Sequence, residues 1–567
     1  MKLIHKLSFI LAAIFCFTKI NYAQPLPNTL YLDTAITNTQ VQKSFYVRNP
    51  SNKVLEITAI RTLTQKFYFG INTLNINPLD SALVTVSFKT NQNVTYRDFL
   101  IFENNTLKYP IVYYALATAK YPETIYAFSQ GLYDESLKTA IRTYASTGYI
   151  SLGYDIARDN MFATIDKYLT NDTIECVYIG RKIRAINRTE AQNQNFNTEH
   201  TYPQSFFSES EPMKSDLFHL YATDATPNNY RANYPFGIVV SNITYENGGS
   251  KLGQNSAGTI VFEPRDLHKG NVARSLFYFC VKYNSVSPGG FMTFVQENVL
   301  RQWNLLDTVD NNERLRNSRI AVLQHVRNIF IDHPEIIDRI ASTFSVVNTT
   351  PLPKVSAAPF NVVYDTLASN DTSSYYIALM NYGKAALTVN SVISTIPEFI
   401  VESFPANVPA SELKYIKVKF HPTSTNQTYS GLLTVQNSDS TITVNLRGFS
   451  NSLSGVNTIS NEIPSRYALY QNYPNPFNPV TKIKFDIPLL NPPLAKGGRG
   501  GVSLKIFNIL GKEVATLVNE NLQPGSYEVS FNGVNLSSGI YFYKLTSGDP
   551  GGSGQVFSDI KRAVLIK

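Results

Sequence analysis

A chain of 567 residues is too long for one hydrophobic core, and at ~100–200 residues per domain it asks for three to five. With 29 Gly, 29 Pro, 35 Tyr and 34 Phe against 16% charged residues, the composition argues against a helical cytosolic enzyme. It favours sheet-rich exported modules, mostly β with one α+β insert. The formal charge of +8 suits a polyanionic partner, though over this length the same surplus also serves as plain solubility charge.

At the N-terminus, Lys2 and Lys6 flank the start of an apolar run over 7–17, and Ala23 offers a cleavage point, so 1–23 reads as a signal peptide. Asn21 is not the small residue expected three positions before the cut, which leaves the cleavage position open. The run falls short of the ~20 residues of a membrane span, and no later stretch reaches that length. The mature chain is therefore expected to be exported, without a transmembrane segment.

Residues 25–118 alternate apolar and polar positions, as in Ala82-Leu-Val-Thr-Val-Ser-Phe88, the period of half-buried strands. The pattern returns over 352–450. Tyr46-Val-Arg-Asn-Pro aligns with Ala378-Leu-Met-Asn-Tyr, and Val84-Thr-Val-Ser-Phe88 with Ile416-Lys-Val-Lys-Phe420, both at an offset of 332. A constant offset indicates two copies of one module. Both copies resemble the immunoglobulin-like β-sandwiches that accompany enzymes in exported bacterial proteins. A glycan- or surface-binding role and a rigid spacer are both open, with the spacer favoured.

Between the copies, 120–345 changes character. Leu137, Ile141 and Tyr144 predict a helix over 133–149, and Ile320, Leu323 and Arg327 predict another over 313–330, with Pro334 opening a further turn. Cys176 and Cys280 both lie here; a bridge closing the loop and two buried thiols are both open, and no spacing suggests structural zinc.

The chemistry is concentrated in Phe-Asn-Thr-Glu-His-Thr-Tyr-Pro-Gln-Ser (196–205), Asp-Leu-Phe-His-Leu (216–220) and Pro-Asn-Asn-Tyr-Arg-Ala-Asn (227–233). Glu199 and Asn228 can offer hard oxygens to Mg²⁺, which takes few protein ligands, with Ca²⁺ or Mn²⁺ as alternatives. His200 can accept a proton from water at neutral pH, and for Arg231 a fork onto a phosphate and a structural role are both open. On a regular strand Glu199 and His200 would point to opposite faces, so the strand is expected to end or bend near 200, where Pro203 stops the ladder. Thr226 can cap a helix with Pro227 at its first position, which sets Asn228 and Arg231 on one face.

These blocks, with Phe-Glu-Pro-Arg-Asp-Leu-His-Lys-Gly-Asn-Val-Ala-Arg (262–274) and Arg-Asn-Ile-Phe-Ile-Asp-His-Pro-Glu (327–335), resemble the bacterial endonuclease I family, secreted nucleases with a ββα-metal (His-Me finger) core. The resemblance implies hydrolysis of DNA first, and RNA second, with little sequence preference and 5′-phosphate products. His200 would be the general base, Glu199 and Asn228 the metal ligands. Glu263 and Arg274 would be structural first, with Arg274 also a possible phosphate contact, and His219 packing or a supporting residue. Some members carry a phosphate-binding arginine between the Glu-His pair and the Asp-Leu block, whereas 201–215 contains only Lys214; Tyr202 stands where relatives usually have Trp.

From about 464 to 567, Tyr470-Gln-Asn-Tyr-Pro-Asn-Pro-Phe-Asn-Pro, Leu504-Lys-Ile-Phe-Asn-Ile-Leu-Gly-Lys and Ser538-Gly-Ile-Tyr-Phe-Tyr resemble the type A sorting domain of type IX secretion, a small sandwich read by the export machinery. The Gly-rich run over 492–501 reads as a loop insertion. The expected protein is thus a secreted or cell-surface endonuclease. The rivals are an adhesion protein on a degenerate nuclease scaffold and a small-nucleotide phosphodiesterase.

Overall fold

The computed structural model describes residues 28–104, 106–167, 172–284, 291–347, 349–369, 371–451, 457–460, 463–489, 500–534, 536–548 and 555–567. The expected signal peptide and most of the Gly-rich insertion lie outside them. The chain is mostly β with one helix-rich section, and its buried apolar residues gather into separate cores along the sequence.

In the first sandwich, Val41–Arg48 pairs with Ser81–Phe88, which also pairs with Phe67–Phe69. The facing sheet runs Thr29–Tyr31, Ile111–Lys120, Thr95–Asn104, Leu55–Arg61, Leu74–Ile76. Alternation places Val47, Val84, Val86 and Phe88 of one sheet against Leu55, Ile57, Leu100 and Phe102 of the other. The second sandwich repeats this. Phe45 sits opposite Val84, and 332 residues later Ile377 sits opposite Ile416.

A buried asparagine confirms the repeat atom by atom. Asn49 Nδ2 donates to the carbonyls of Lys53 and Ile76 while its Oδ1 accepts from Ser51 N. Asn381 Nδ2 donates to Ala385 and Val408, and its Oδ1 accepts from Gly383 N, with the same sequence separations. Each amide replaces ladder bonds that a turn cannot supply.

The two sandwiches also clasp each other. Phe99, Ile101 and Val112 of the first form one apolar cluster with Ala358, Ala378, Met380 and Leu413 of the second. At the rim Arg61 Nη2 donates to Ala357 O at 2.5 Å, Tyr375 to Asn104 O at 3.3 Å, and Leu413 N to the Tyr114 hydroxyl at 3.2 Å. The first sandwich additionally holds the helical section, through Gln92 on Glu335 O and Arg339 on Asn93 Oδ1 at 2.7 Å.

That section is built around Asp266–Lys282, a helix buried at nearly every position, with Phe294–Leu306, Asn311–Gln324 and Asp134–Ser146 in the same core. The helix expected over 133–149 is present as Asp134–Ser146, burying Leu137 and Ile141. The one expected over 313–330 is interrupted: Asn311–Gln324 ends where His325 turns left-handed at φ 63°, and Ile329–Asp332 is a separate short helix. Arg327 therefore lies between helices and forks onto Asp332 at 2.6 and 2.7 Å. Pro334 does open a turn, Pro334–Arg339. Cys176 and Cys280 are both buried and unbridged, so the thiol reading holds over the disulfide.

Near the C-terminus two sheets enclose Ile483, Phe485, Leu504, Tyr543 and Leu545. Among the described residues no helix is long and apolar enough to cross a membrane.

Candidate active site

Phe196–His200 and Leu220–Asp224 form an isolated antiparallel pair, and the chain runs straight from the second strand into the helix Ala225–Arg231. The helix is capped two residues earlier than its sequence suggests. Asp224, not Thr226, is the N-cap, its Oδ1 accepting from Thr226 N at 2.8 Å, because the carboxylate is already fixed by Arg181 at 2.6 Å. Pro227 then occupies the third helical position, where its missing N–H still costs nothing. Asn228 and Arg231 remain one turn apart, and Asn228 Nδ2 reaches back to Thr198 O at 3.4 Å.

The strand ends at His200 as expected, yet it does not bend before that point. Glu199 pairs with Tyr221 and His200 with Leu220 in regular register. Adjacent side chains of a regular strand leave on opposite sides, and their contacts obey that rule. Glu199 is 2% exposed and faces Arg231, whose Nε lies 3.2 Å from Oε1. His200 is 6% exposed and faces the Tyr154 ring at 5.4 Å and the His219 ring, edge-on, at 5.3 Å.

Of its two readings, Arg231 takes the structural one. It is 1% exposed, with Nη2 on Thr201 O at 2.7 Å, Nη1 on Ala232 O at 2.9 Å and the Phe236 ring 4.7 Å from its guanidinium carbon. These bonds tie the helix to the strand and consume the fork that a phosphate would need. Its Nε meets Glu199 as an ion pair without hydrogen-bond alignment, so Oε1 is left buried with no hydrogen-bond partner. Tyr178 also faces this carboxylate without an aligned bond. Burial pushes the Glu199 carboxyl above its ordinary range, with Arg231 opposing.

His200 Nε2 sits 3.3 Å from Lys214 O. A carbonyl only accepts, so Nε2 carries the proton and Nδ1 the lone pair. Burial, reinforced by His219, holds the imidazole well below its ordinary range, which makes neutral His200 the resting form. His219 is fully buried, its Nε2 2.6 Å from Met213 O and its ring packed on Phe279 at 4.6 Å; burial brings its pKa down to about 4. It supports His200 by packing, in line with its sequence reading.

Arg274 takes its structural reading and not the phosphate contact. It is 0% exposed, with Nε and Nη2 on the two Glu313 oxygens at 2.7 and 2.6 Å and Nη1 on Asn304 and Asp307 O. Glu263 accepts from Val239 N at 2.8 Å and from Lys269 at 2.7 Å, a structural role away from the hairpin. Two residues escaped sequence reasoning: Tyr154, its ring tilted against that of His200, and Arg158, whose Nε donates to Thr198 Oγ1 at 3.2 Å. Their only sequence trace is the helical i, i+4 spacing of an aromatic and a cation.

The strand–strand–helix unit thus carries a neutral, carbonyl-anchored imidazole on one face of the strand, a buried carboxylate on the other and an amide on the helix that follows, and by its family match the protein is a hydrolase acting on nucleic acid. Comparison narrows this. The Endonuclease I model matches residues 124–335. The "Extracellular ribonuclease" of Bacillus subtilis (strain 168) is 30% identical over 36% of this chain and 74% of its own length, and that of Bacillus amyloliquefaciens 31% identical over 36% and 73%. The chain belongs to the Endonuclease I family. A secretion system C-terminal sorting domain matches 471–554, and the protein is secreted or displayed at the cell surface by type IX secretion. Among solved structures, the ASH / PapD-like domain of human CEP192 matches 19% of this chain and 95% of its own at 16% identity, with a TM-score of 0.16, too loose to bear on the fold.

Proposed function

We propose that the protein is a metal-dependent endonuclease of low sequence specificity that hydrolyses DNA and RNA outside the cell. The observation that carries this reading is His200, neutral, with Nε2 committed to Lys214 O and Nδ1 without a hydrogen-bond partner among the described residues. The relatives named extracellular ribonucleases favour RNA as a substrate alongside DNA.

Two side-chain oxygens here are of the kind a hard divalent cation takes. Glu199 Oε1 is a buried oxygen with no hydrogen-bond partner, and Asn228 uses its nitrogen on Thr198 O, leaving Oδ1 as a second oxygen donor. Among the described residues no cluster of three His, Cys, Asp or Glu side chains competes as a site. Glu199 and Asn228 would hold Mg²⁺, with Mn²⁺ or Ca²⁺ as alternatives, and the bound ion would supply charge stabilisation at phosphorus.

His200 Nδ1 takes a proton from water as the water oxygen forms a bond to phosphorus. The bond to the 3′ oxygen breaks, that oxygen is protonated from solvent, and a 5′-phosphate end remains. Arg231 holds Glu199 and the strand end in place. The paired sandwiches, of immunoglobulin-like type, serve as a spacer.

The test is plasmid nicking with and without EDTA, for wild type and His200→Ala. General-base loss should cost ~10²–10⁴ in turnover with binding retained. Nicking that persists in the mutant would remove His200 from the reaction. Hydrolysis of a chromogenic phosphodiester with plasmid spared would favour a small-nucleotide phosphodiesterase, and no hydrolysis of either would favour an adhesion protein on a degenerate scaffold.

A further inference from the structure

We infer that Arg158 is the arginine that grips the substrate phosphate, the position that the hairpin loop leaves vacant. This rests on the endonuclease reading of the hairpin. The loop between the strands supplies only Lys214, which is paired to Glu209 at 2.7 Å. Arg231 and Arg274 are spent inside the protein, Arg316 is buried on Asp166 at 2.8 Å, and Arg188 is committed to Asp155 and Asp159 at 2.5 and 2.9 Å.

Arg158, from the helix Tyr154–Asn160, differs from all of these. It is half-buried, Nε is fixed on Thr198 Oγ1 at 3.2 Å, and the guanidinium lies 4.9 Å from the Tyr154 ring centre. Among the described residues Nη1 and Nη2 have no hydrogen-bond acceptor. The fork is thus oriented at its base and open at its tip, the arrangement a bidentate phosphate contact needs.

Its location follows from the strand. Thr198 and His200 lie two residues apart on the same face, about 6.6 Å at ~3.3 Å per residue. The Tyr154 ring spans the interval, 5.4 Å from the His200 ring and 4.9 Å from the Arg158 guanidinium. A phosphate attacked by water at His200 Nδ1, or its neighbour on the same strand, falls within the reach of Arg158. The fork would place positive charge where the pentacovalent phosphate gathers negative charge.

The experiment uses the full-length chain with Arg158→Gln, which keeps a polar side chain that can reach Thr198 and loses the charge, and Arg158→Lys, which keeps the charge and loses the fork. Turnover of plasmid and of single-stranded RNA is measured with Mg²⁺. Duplex binding is measured against salt in a His200→Ala background, with Lys417→Ala in the second sandwich as control. Arg158→Gln should lower kcat/KM by about 10²-fold. It should also flatten the slope of log K against log[salt] by about 0.9 on duplex DNA, one phosphate contact's worth. Arg158→Lys should restore the slope while recovering only part of the rate, whereas a merely structural arginine would leave the slope unchanged in both variants. A wild type that cuts, with Arg158→Gln cutting equally well at unchanged slope, overturns this inference and spares the endonuclease. A wild type that neither cuts nor binds overturns the endonuclease reading itself.

Discussion

Replacing Arg274 by alanine should unfold the nuclease section far more readily without touching its chemistry. Arg274 is fully buried and doubly bonded to Glu313, so its removal strands a carboxylate in the interior and frees acceptors on Asn304 and Asp307. Breaking a buried pair from one side costs ~3–5 kcal/mol, a large share of the ~5–15 kcal/mol of a typical domain. Trp303 is the only tryptophan in the chain, is 1% exposed and neighbours Asn304, so its fluorescence in urea reports this section alone. Burial already holds the Glu313 carboxyl above its ordinary range with Arg274 opposing, and the variant should hold it higher still. A carboxyl whose folded pKa is raised favours the fold below its unfolded value of ~4.3 and loses that benefit as pH rises. The deficit should therefore shrink toward pH 4–5 and be largest above neutrality. Arg274→Met with Glu313→Leu should recover most of the loss, since two apolar groups leave no charge behind. A shift below ~1 kcal/mol with a raised KM for nucleic acid would show that Arg274 meets substrate after all and that the buried-pair argument is wrong.

The same fluorescence assay should show acid sensitivity from His219 and His268, both held down by burial, His219 to about 4. Their unfolded forms protonate first, so stability is complete above pH ~6.5 and falls below it, by on the order of 3 kcal/mol at pH 4 from His219 alone; His219→Phe should flatten the curve, and an unchanged slope would discount the buried imidazole. Asn49→Ala and Asn381→Ala should each cost ~1–3 kcal/mol through stranded carbonyls, read as loss of protease resistance in the matching sandwich; equal resistance to wild type would mean that the turns hold without them. Thiol reagent should find neither Cys176 nor Cys280 in the native protein and both after denaturation, with dithiothreitol leaving the unfolding midpoint unchanged; a reductant-sensitive midpoint would reveal a bridge.

The sandwiches were legible because every second residue of a half-buried strand declares its face, and Phe45, Val84, Ile377 and Ile416 do so at a fixed offset. The hairpin and its helix were legible from the Glu-His pair, Pro203 and the Thr226-Pro227 start that precedes Asn228. What failed was anything decided by distant partners. Arg231 stayed open between a phosphate contact and a structural role, and Arg274 kept a possible phosphate contact, because nothing local reveals the Thr201 carbonyl, 30 residues away, or Glu313, 39 residues away. Thr226 is as good a cap as Asp224 in isolation, and Arg181 settles the choice from across the fold. His325 ends a helix that apolar spacing would carry on, since periodicity records faces and not backbone reversals. Arg158 was hidden because its significance depends on the Thr198 hydroxyl, 40 residues downstream.

Because Ile101 and Met380 belong to one apolar cluster, the two ends of the catalytic insert are stapled to a common base. A single nick in one of its surface turns would therefore free neither fragment, and a protease in the surroundings would need a second cut, or the parting of the sandwiches, before the enzyme came apart. For a catalyst at work outside the cell, that closed circuit is a form of endurance that requires no disulfide.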